Sequence, residues 1–321
     1  MRAGKKILLA FAFLLIIGGG ALFAVTLAVN GWDFTKIGAE SYKTNTHEIT
    51  EAFGSISYVG STADVSFVPS ADGTCRVVCT EHEKRLHSVK VEDGVLKITE
   101  NSTEKWYDYI GVSFVSTKIT VYLPAGEYGD LRIKLSTGDV AVPKDFSFGE
   151  VDVETSTGDV SFGAEKTKGL KIRVSTGDVT LNDTVANSVD VKTSTGEVKM
   201  KSIVSLGNIT VKVSSGDCEL SGIACKDLLI EGSTSDVDLE GAVASGKIAI
   251  TTSTGEVELE LSDASEIEIK TSTGEVEGTL LSPKIFVIDT STGDVDVPES
   301  TSGGKCKITT GTGDINIKIA K

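Results

Sequence analysis

One five-residue phrase, Ser-Thr-Gly-Asp/Glu-Val, returns ten times between Ser136 and Asp314. Its central position falls at Gly138, Gly158, Gly177, Gly196, Gly216, Ser235, Gly255, Gly274, Gly293 and Gly313, so every step is 19 or 20 residues. A period that even means one supersecondary unit stacked on copies of itself. Counted from the central residue, apolar side chains recur at −7, −5, −3, +2 and +4. They are Leu131, Ile133, Leu135, Val140 and Val142 in the first unit, and Leu170, Ile172, Val174, Val179 and Leu181 in the third. Strict alternation on both sides of the Gly is the period of a strand, not of a helix.

The expected fold is therefore all-β: a single-stranded-path parallel β-solenoid (β-helix) of about ten turns over residues 128–321. The Gly falls where the chain turns between two strands, which predicts a positive φ, and the acid after it suits the turn exit. Ser235, and Ala63 in the degenerate copy Ser61-Thr62-Ala63-Asp64-Val65, break the Gly rule. Strain of about 1 kcal/mol is expected at each of those corners. A single turn cannot bury its own apolar edge. Stacked about 4.8 Å apart, ten turns share one core and complete one another's backbone hydrogen bonds over roughly 48 Å. A leucine-rich repeat has a similar period but needs several leucines and an Asn per turn, which this sequence lacks. At −6 the first four turns carry Arg132, Asp152, Lys171 and Asp190, alternating in sign where in-register turns would meet.

Residues 48–127 carry a weaker version of the pattern and are read as a β-rich N-terminal cap. Asp93-Gly94 between two strand-like runs is a hairpin signal. A cap at the first edge is required because an open edge templates aggregation. No separate cap is visible at the far end, where Ile315, Ile317 and Ile319 alternate with Asn316, Lys318 and Ala320 on the expected last strand.

Ahead of the cap, Ile7 to Val29 is a stretch of 23 residues without a charged side chain. As a helix it reaches about 34 Å, against a hydrocarbon core of about 30 Å. Arg2, Lys5 and Lys6 precede it, and Trp32 and Asp33 follow. This predicts a cytoplasmic N-terminus over 1–6, a single-pass transmembrane anchor over 7–29, a tether over 30–47 and an extracytoplasmic remainder at a bacterial cytoplasmic membrane. Thr26-Leu27-Ala28 would serve a cleaved signal peptide instead, but the apolar run exceeds the usual h-region. The formal charge of −15 disfavours nucleic-acid partners, because a polyanion would meet repulsion. Of the five cysteines, Cys218 and Cys306 occupy apolar repeat positions. Cys75 and Cys79 lie too far apart on one strand to pair. Few or no disulfides are expected.

The chain resembles a bacterial family. The apolar N-terminal helix ending in Gly31-Trp32-Asp33, the segments Asp93-Gly94-Val95-Leu96-Lys97-Ile98 and Val121-Tyr122-Leu123-Pro124, and the Ser-Thr-Gly-Asp-Val series carry the likeness. That family is a domain of unknown function labelled putative adhesin and described as a β-solenoid, and it brings no established catalytic residues. The resemblance implies a cell-envelope protein of adhesin or envelope-stress type.

The candidate sites follow from the repeat. The acids after the corners, among them Asp139, Asp159, Asp178, Asp217, Asp294 and Asp314, form one column and are weak Ca²⁺ candidates. Neighbouring carboxylates at that spacing repel by only about 0.9 kcal/mol in water, so an exposed column needs no cation. Calcium wants six to eight oxygens, roughly, and one carboxylate per turn is a thin supply. Structural turn acids are the simpler reading. Carbohydrate-active chemistry needs two acids in distinct environments, which a repeat does not supply. No catalytic residue, cofactor or resident metal is expected. Cys75, Cys79, His82 and His87 include zinc-binding types, but their spacing is not that of a zinc finger. Trp106, Tyr107 and Tyr109 form the one dense aromatic patch and are candidates for partner contact or for packing on the first edge. Asn101, Asn182 and Asn208 head glycosylation-type triplets, unremarkable in a Ser/Thr-rich chain. The function expected is a non-catalytic, membrane-anchored surface module that binds an unidentified protein or glycan. The alternatives are an envelope-stress component contacting other membrane proteins and a secreted carbohydrate-active enzyme.

Overall fold

The computed structural model describes residues 12, 13, 15–21, 24, 25, 28, 42–102 and 117–321. The described residues before Tyr42 are helical. Among the described residues no helix is long and apolar enough to cross a membrane, so the expected transmembrane helix over 7–29 is not carried by them. Much of that stretch lies outside the described residues. Part of the segment read as a tether is a strand, Tyr42–Ile49, antiparallel to Cys75–His82.

From Leu131 onward the chain winds as a parallel β-solenoid, each coil named here by its corner residue. Equivalent residues stack at the period of the phrase. Val151 lies between Leu131 and Leu170, Val153 between Ile133 and Ile172, and after the corner Val160 lies between Val140 and Val179. Within one coil the buried residues change parity twice: Phe146 and Phe148, then Val151, Val153 and Thr155, then Val160 and Phe162. Each change is a corner where the in–out alternation slips by one residue, so a coil has three short sides. Most inward positions are apolar, but at −3 Thr155, Thr193, Thr252, Thr271 and Thr310 are interspersed with Leu, Val and Gly, and Thr167, Thr184, Ser205 and Ser262 are buried in other columns. Thr155 donates to Thr157 O at 3.2 Å and Thr252 to Thr254 O at 3.1 Å, and both so avoid the cost of an unpaired polar group, whereas the buried hydroxyls of Thr271 and Thr290 have no partner among the described residues.

The corner glycines are required twice over. Gly158, Gly177 and Gly196 take φ of 133°, 145° and 139°, a region that side chains avoid. A Cβ on each would also strike the carbonyl of the Gly one coil earlier. The expected strain at Ser235 and Ala63 does not appear: neither has a positive φ, and both side chains are buried. At Ser235 room is made three residues earlier. The −3 positions of those two coils are Gly232 and Gly60, where other coils carry Leu, Val or Thr. A Cβ on Gly232 would lie 2.9 Å from that of Ser235, so the serine occupies the volume that the −3 side chain gives up.

The register of the −6 row is as expected, Arg132 beside Asp152 and Lys171 beside Asp190. The ion pairs, however, involve mostly the row at −4. Lys134 pairs with Glu154 at 3.1 Å, Arg173 with Asp152 at 3.4 Å and Lys212 with Glu231 at 2.7 Å. Lys134 and Lys212 pair with the residue directly opposite, and Arg173 reaches diagonally to the −6 row. Exposed pairs of this kind select register more than they add stability.

Both ends depart from stacking in chain order. At the amino end, Ser55–Val59 and Asp64–Pro69 form a coil turning at Ala63 and stacked on the Gly138 coil, Ile56 beside Leu131 and Val65 beside Val140. Val95–Ser102 and Lys118–Leu123 make the next layer outward, on the other side of that coil. The chain then returns inward to Leu131. The edge is finished by antiparallel strands: Arg85–Glu92 on Val95–Ser102, after the Asp93-Gly94 turn, and Cys75–His82 on Lys118–Leu123. At the carboxyl end the Gly313 coil sits directly on the Gly274 coil, Cys306 beside Ile267 and Ile315 beside Val276. The Gly293 coil is outermost, with Ile288 beside Ile308. The strand Ile315–Ile319 is therefore not the terminal edge that the sequence suggested. Gly303-Gly304 permits the return into the gap. Gly303 has φ of 105°, and a Cβ on it would strike the Pro283 carbonyl, while one on Gly304 would strike the Ser265 carbonyl.

Candidate functional site

Three features outlast the requirements of the fold: the acid column, a buried polar cluster in the cap, and an exposed apolar row.

The column runs along the corner edge. At several corners the N–H of the acid points at the neighbouring coil, where an Asp carboxylate receives it. Asp139 Oδ1 accepts from Asp159 N, Asp159 Oδ1 from Asp178 N, Asp178 Oδ1 from Glu197 N and Asp236 Oδ1 from Glu256 N, each at 2.8 Å. At the far end Asp314 Oδ1 accepts from Asp294 N at 2.8 Å, which follows the exchanged order of the last two coils. Among the described residues these bonds are received by Asp and never by Glu197, Glu256 or Glu275. The shorter side chain holds its oxygen over the corner, and the longer one reaches past it. Asp139, Asp159, Asp178 and Asp314 thus have a structural task that occupies one carboxylate oxygen. The column has an electrostatic cost where it thickens. Glu256 is held above the usual carboxylate range by burial and by Glu277, Glu275, Asp236 and Glu258. Asp238 is raised by burial and by Glu258, Asp236 and Asp217.

The cap cluster is more concentrated. Cys79 and Glu81, two residues apart on Cys75–His82, share the inward face, and His87 comes in from Arg85–Glu92. The side chains of Cys79, Glu81 and His87 are all buried. Glu81 Oε2 lies 2.7 Å from His87 Nδ1 and accepts from the His87 backbone N–H at 2.6 Å, while its Oε1 accepts from Asn45 Nδ2 at 2.7 Å. His87 Nε2 lies 3.3 Å from the Tyr58 hydroxyl, and the two rings stack with centroids 5.9 Å apart. Burial and then Glu81 push the Cys79 thiol up to about 12. Burial foremost, then Glu100, Cys79 and Glu81, also raises the Tyr58 phenol. Of the residues weighed for zinc in the sequence, Cys79 and His87 meet here. Cys75 is not part of the group, and His82 faces Tyr42, ring centroids 5.7 Å apart. Glu81 was missed because a lone acid between two strands reads as surface. The signal that could have found it is parity, since it shares a strand face with Val77 and Cys79.

Trp106, Tyr107 and Tyr109 lie outside the described residues. A different aromatic group packs at the first end of the solenoid, where Phe67, Tyr128, Phe146 and Phe148 meet with centroids 6.1–6.5 Å apart. All five cysteines are free thiols, with Cys218 and Cys306 buried in the core as their repeat positions suggested. On the outside, Val185, Val204 and Val243 stand in register with Ala224 between the last two, each valine about two-fifths exposed.

The family model Toastrack DUF4097 matches residues 55–210 and 204–321. A comparison with curated proteins gives no match. Among solved structures, the chain is similar to a "putative adhesin" from Bacteroides fragilis at 15% identity and a TM-score of 0.38, covering 88% of this chain and 99% of that one. It is similar to a "putative adhesin" from Parabacteroides distasonis at 13% identity and a TM-score of 0.45, covering 87% and 98%. A "putative lipid binding protein" from the same species follows at 16% identity and a TM-score of 0.37, covering 88% and 98%. The two matched stretches of the family model take in every coil from the Ala63 corner to the carboxyl end, and the chain belongs to the Toastrack DUF4097 family.

Proposed function

We propose that this protein is a non-catalytic surface-interaction module of adhesin type, held at the outer face of a bacterial cytoplasmic membrane by residues 7–29. The observation that carries the reading is the in-register outer surface. Exposed residues repeat coil by coil in straight rows: the Ser and Thr hydroxyls before each corner, the acids after it, and the apolar row of Val185, Val204 and Val243. A rod that shows the same groups at each coil suits many weak contacts with a repetitive partner, a surface protein or a glycan, because linked weak contacts add up to avidity. The uncharged run from Ile7 to Val29, with helical residues inside it, supports the tether.

Crosslinking on intact cells followed by capture of the full chain tests the module. A surface protein or glycan should be recovered, and Val204→Asp with Val243→Asp should reduce its yield. Recovery of cytoplasmic proteins alone, or turnover of an envelope polysaccharide by the purified chain, would overturn the reading. Fractionation tests the anchor separately: deleting residues 7–29 should move the protein out of the membrane fraction.

A further inference from the structure

We propose that Cys79, Glu81 and His87 hold a divalent cation of the zinc class inside the N-terminal cap. One ligand atom from each residue lies within 4.8 Å of the other two. Bonds of about 2.0–2.3 Å put tetrahedral zinc ligands about 3.3–3.8 Å apart. Small side-chain rotations therefore close the group on an ion. The set joins a thiolate, an imidazole and a carboxylate, a mixture that zinc accepts more readily than calcium or magnesium, which prefer oxygen alone.

Three further observations fit a cation. First, the ligands already have the outer partners that a metal site uses to orient them: Asn45 holds Glu81 Oε1, and the Tyr58 hydroxyl faces His87 Nε2. A metal on Nδ1 leaves the ring proton on Nε2, where it donates to that hydroxyl. Second, the Cys79 sulfur is fully buried and has no hydrogen-bond partner among the described residues, although it adjoins a buried carboxylate. Third, the charges close. A doubly charged cation with one thiolate, one carboxylate and a neutral imidazole sums to zero, which is the form of the cluster least costly to bury. Loading releases the thiol proton. The ion would link Cys75–His82 to Arg85–Glu92 across the Glu83-Lys84 crossing, the place where the cap passes from one side of the stack to the other.

The test uses the full chain, unfolded under reducing conditions and refolded with Co²⁺ or with Zn²⁺, then desalted. One ion per chain should remain, and the cobalt form should show a near-ultraviolet thiolate-to-cobalt absorption. Cys79→Ser should lose both the band and the ion, whereas Cys218→Ser, which removes a buried thiol of the solenoid, should keep them. Asn45→Ala removes no ligand but frees Glu81 Oε1, and should weaken the affinity by about 10–100-fold. If Cys79→Ser fails to fold, the Asn45→Ala affinity decides the matter. A natively folded wild-type chain that retains no ion would overturn the proposal. So would an Asn45→Ala chain that binds as tightly as wild type.

Discussion

The middle of the rod and its two ends are built from the same coil by different rules. From the Gly138 coil to the Gly274 coil, each turn lies on the one before it in the chain, and the register is 19 or 20 residues except where it slips at Ser262 beside Leu280. At the ends the order is exchanged: the Ala63 coil is covered by Val95–Ser102 and Lys118–Leu123, and the Gly313 coil by the Gly293 coil. A stack in strict chain order would leave its first and last coils free to peel. Exchange places each penultimate layer under a strand from elsewhere in the chain, so peeling must undo two segments together. Repetition supplies length, and the breaks in repetition protect it.

The largest effect should come from cutting at the exchange. Removing residues 304–321 takes a coil from within the stack and strands the Gly293 coil with nothing beneath it. The inward faces of Ile267, Ile269 and Val276 would be laid bare. We expect residues 284–303 to become protease-sensitive and the protein to aggregate, as an uncovered parallel edge does. Deleting one whole period from the middle, residues 178–196, joins Gly177 to Glu197 and should by contrast leave a shorter but folded rod. Equal damage from the two deletions, read by limited proteolysis and light scattering, would remove the distinction between middle and end.

Next comes the corner column. Gly177→Ala places a Cβ against the Gly158 carbonyl at φ of 145°, with coils locked on both sides. Backbone in that region costs about 1–3 kcal/mol for a side chain before any clash is counted. Gly293→Ala meets the Gly313 carbonyl in the same way, but its coil has a neighbour on one side only and can shift outward. Denaturant unfolding should show the larger loss at Gly177, and a larger loss at Gly293 would mean that the outer coil is not the looser one.

A smaller effect, with a sign that can reverse, is expected at the irregular corner. Gly232→Val alone should clash with Ser235, and Ser235→Gly alone should leave a void, each costing about 1–3 kcal/mol. Together they restore the common pattern of an apolar −3 residue and a corner Gly. The double variant should be at least as stable as wild type, a coupling well above the roughly 0.5 kcal/mol expected of independent sites. Additive losses would show that the two positions do not share one volume.

This pair also marks how far the sequence could be read. The strand alternation, parallel register and positive φ of the corner glycines follow from residue types at fixed spacing, and the structure agrees except at Gly274, whose φ is not in that region. The compensation at Gly232 is in the sequence too, as a Gly standing where an apolar residue belongs, but the corner residue alone signals strain. The exchange of the last two coils was not legible from the repeat. The Gly293 and Gly313 phrases are equivalent, so local pattern gives neither coil a preferred neighbour, and Gly303-Gly304 reads as an ordinary loop until Pro283 and Ser265 are seen pressing on it. The cap cluster was half legible. Cys79 and His87 were weighed, but Glu81 and Tyr58 join them only when strands from both sides of the cap close together.

The smallest expected effect separates the middle from the cap by pH. In the middle, Asp238 and Glu256 are raised by burial and neighbouring acids, so their charged forms oppose folding. A carboxyl with a raised native pKa binds its proton more tightly when folded, so stability should increase as pH falls from neutral toward the ordinary carboxylate range. In the cap, Glu92 is lowered by hydrogen bonds from Lys90 and Lys97 and by their charge. Its contribution is present above the ordinary glutamate range and is lost only as pH falls below it, through the lowered value. Mild acid should therefore tighten the middle and leave the cap unchanged, and stronger acid should loosen the cap. Both terms are modest because these groups face solvent and salt screens them. For the same reason, added salt at neutral pH should reproduce the gain in the middle. Asp238→Asn with Glu256→Gln should abolish both the acid gain and the salt gain, read as denaturant midpoints at each pH. If the double variant keeps the gain, the repulsion along the column is not its source.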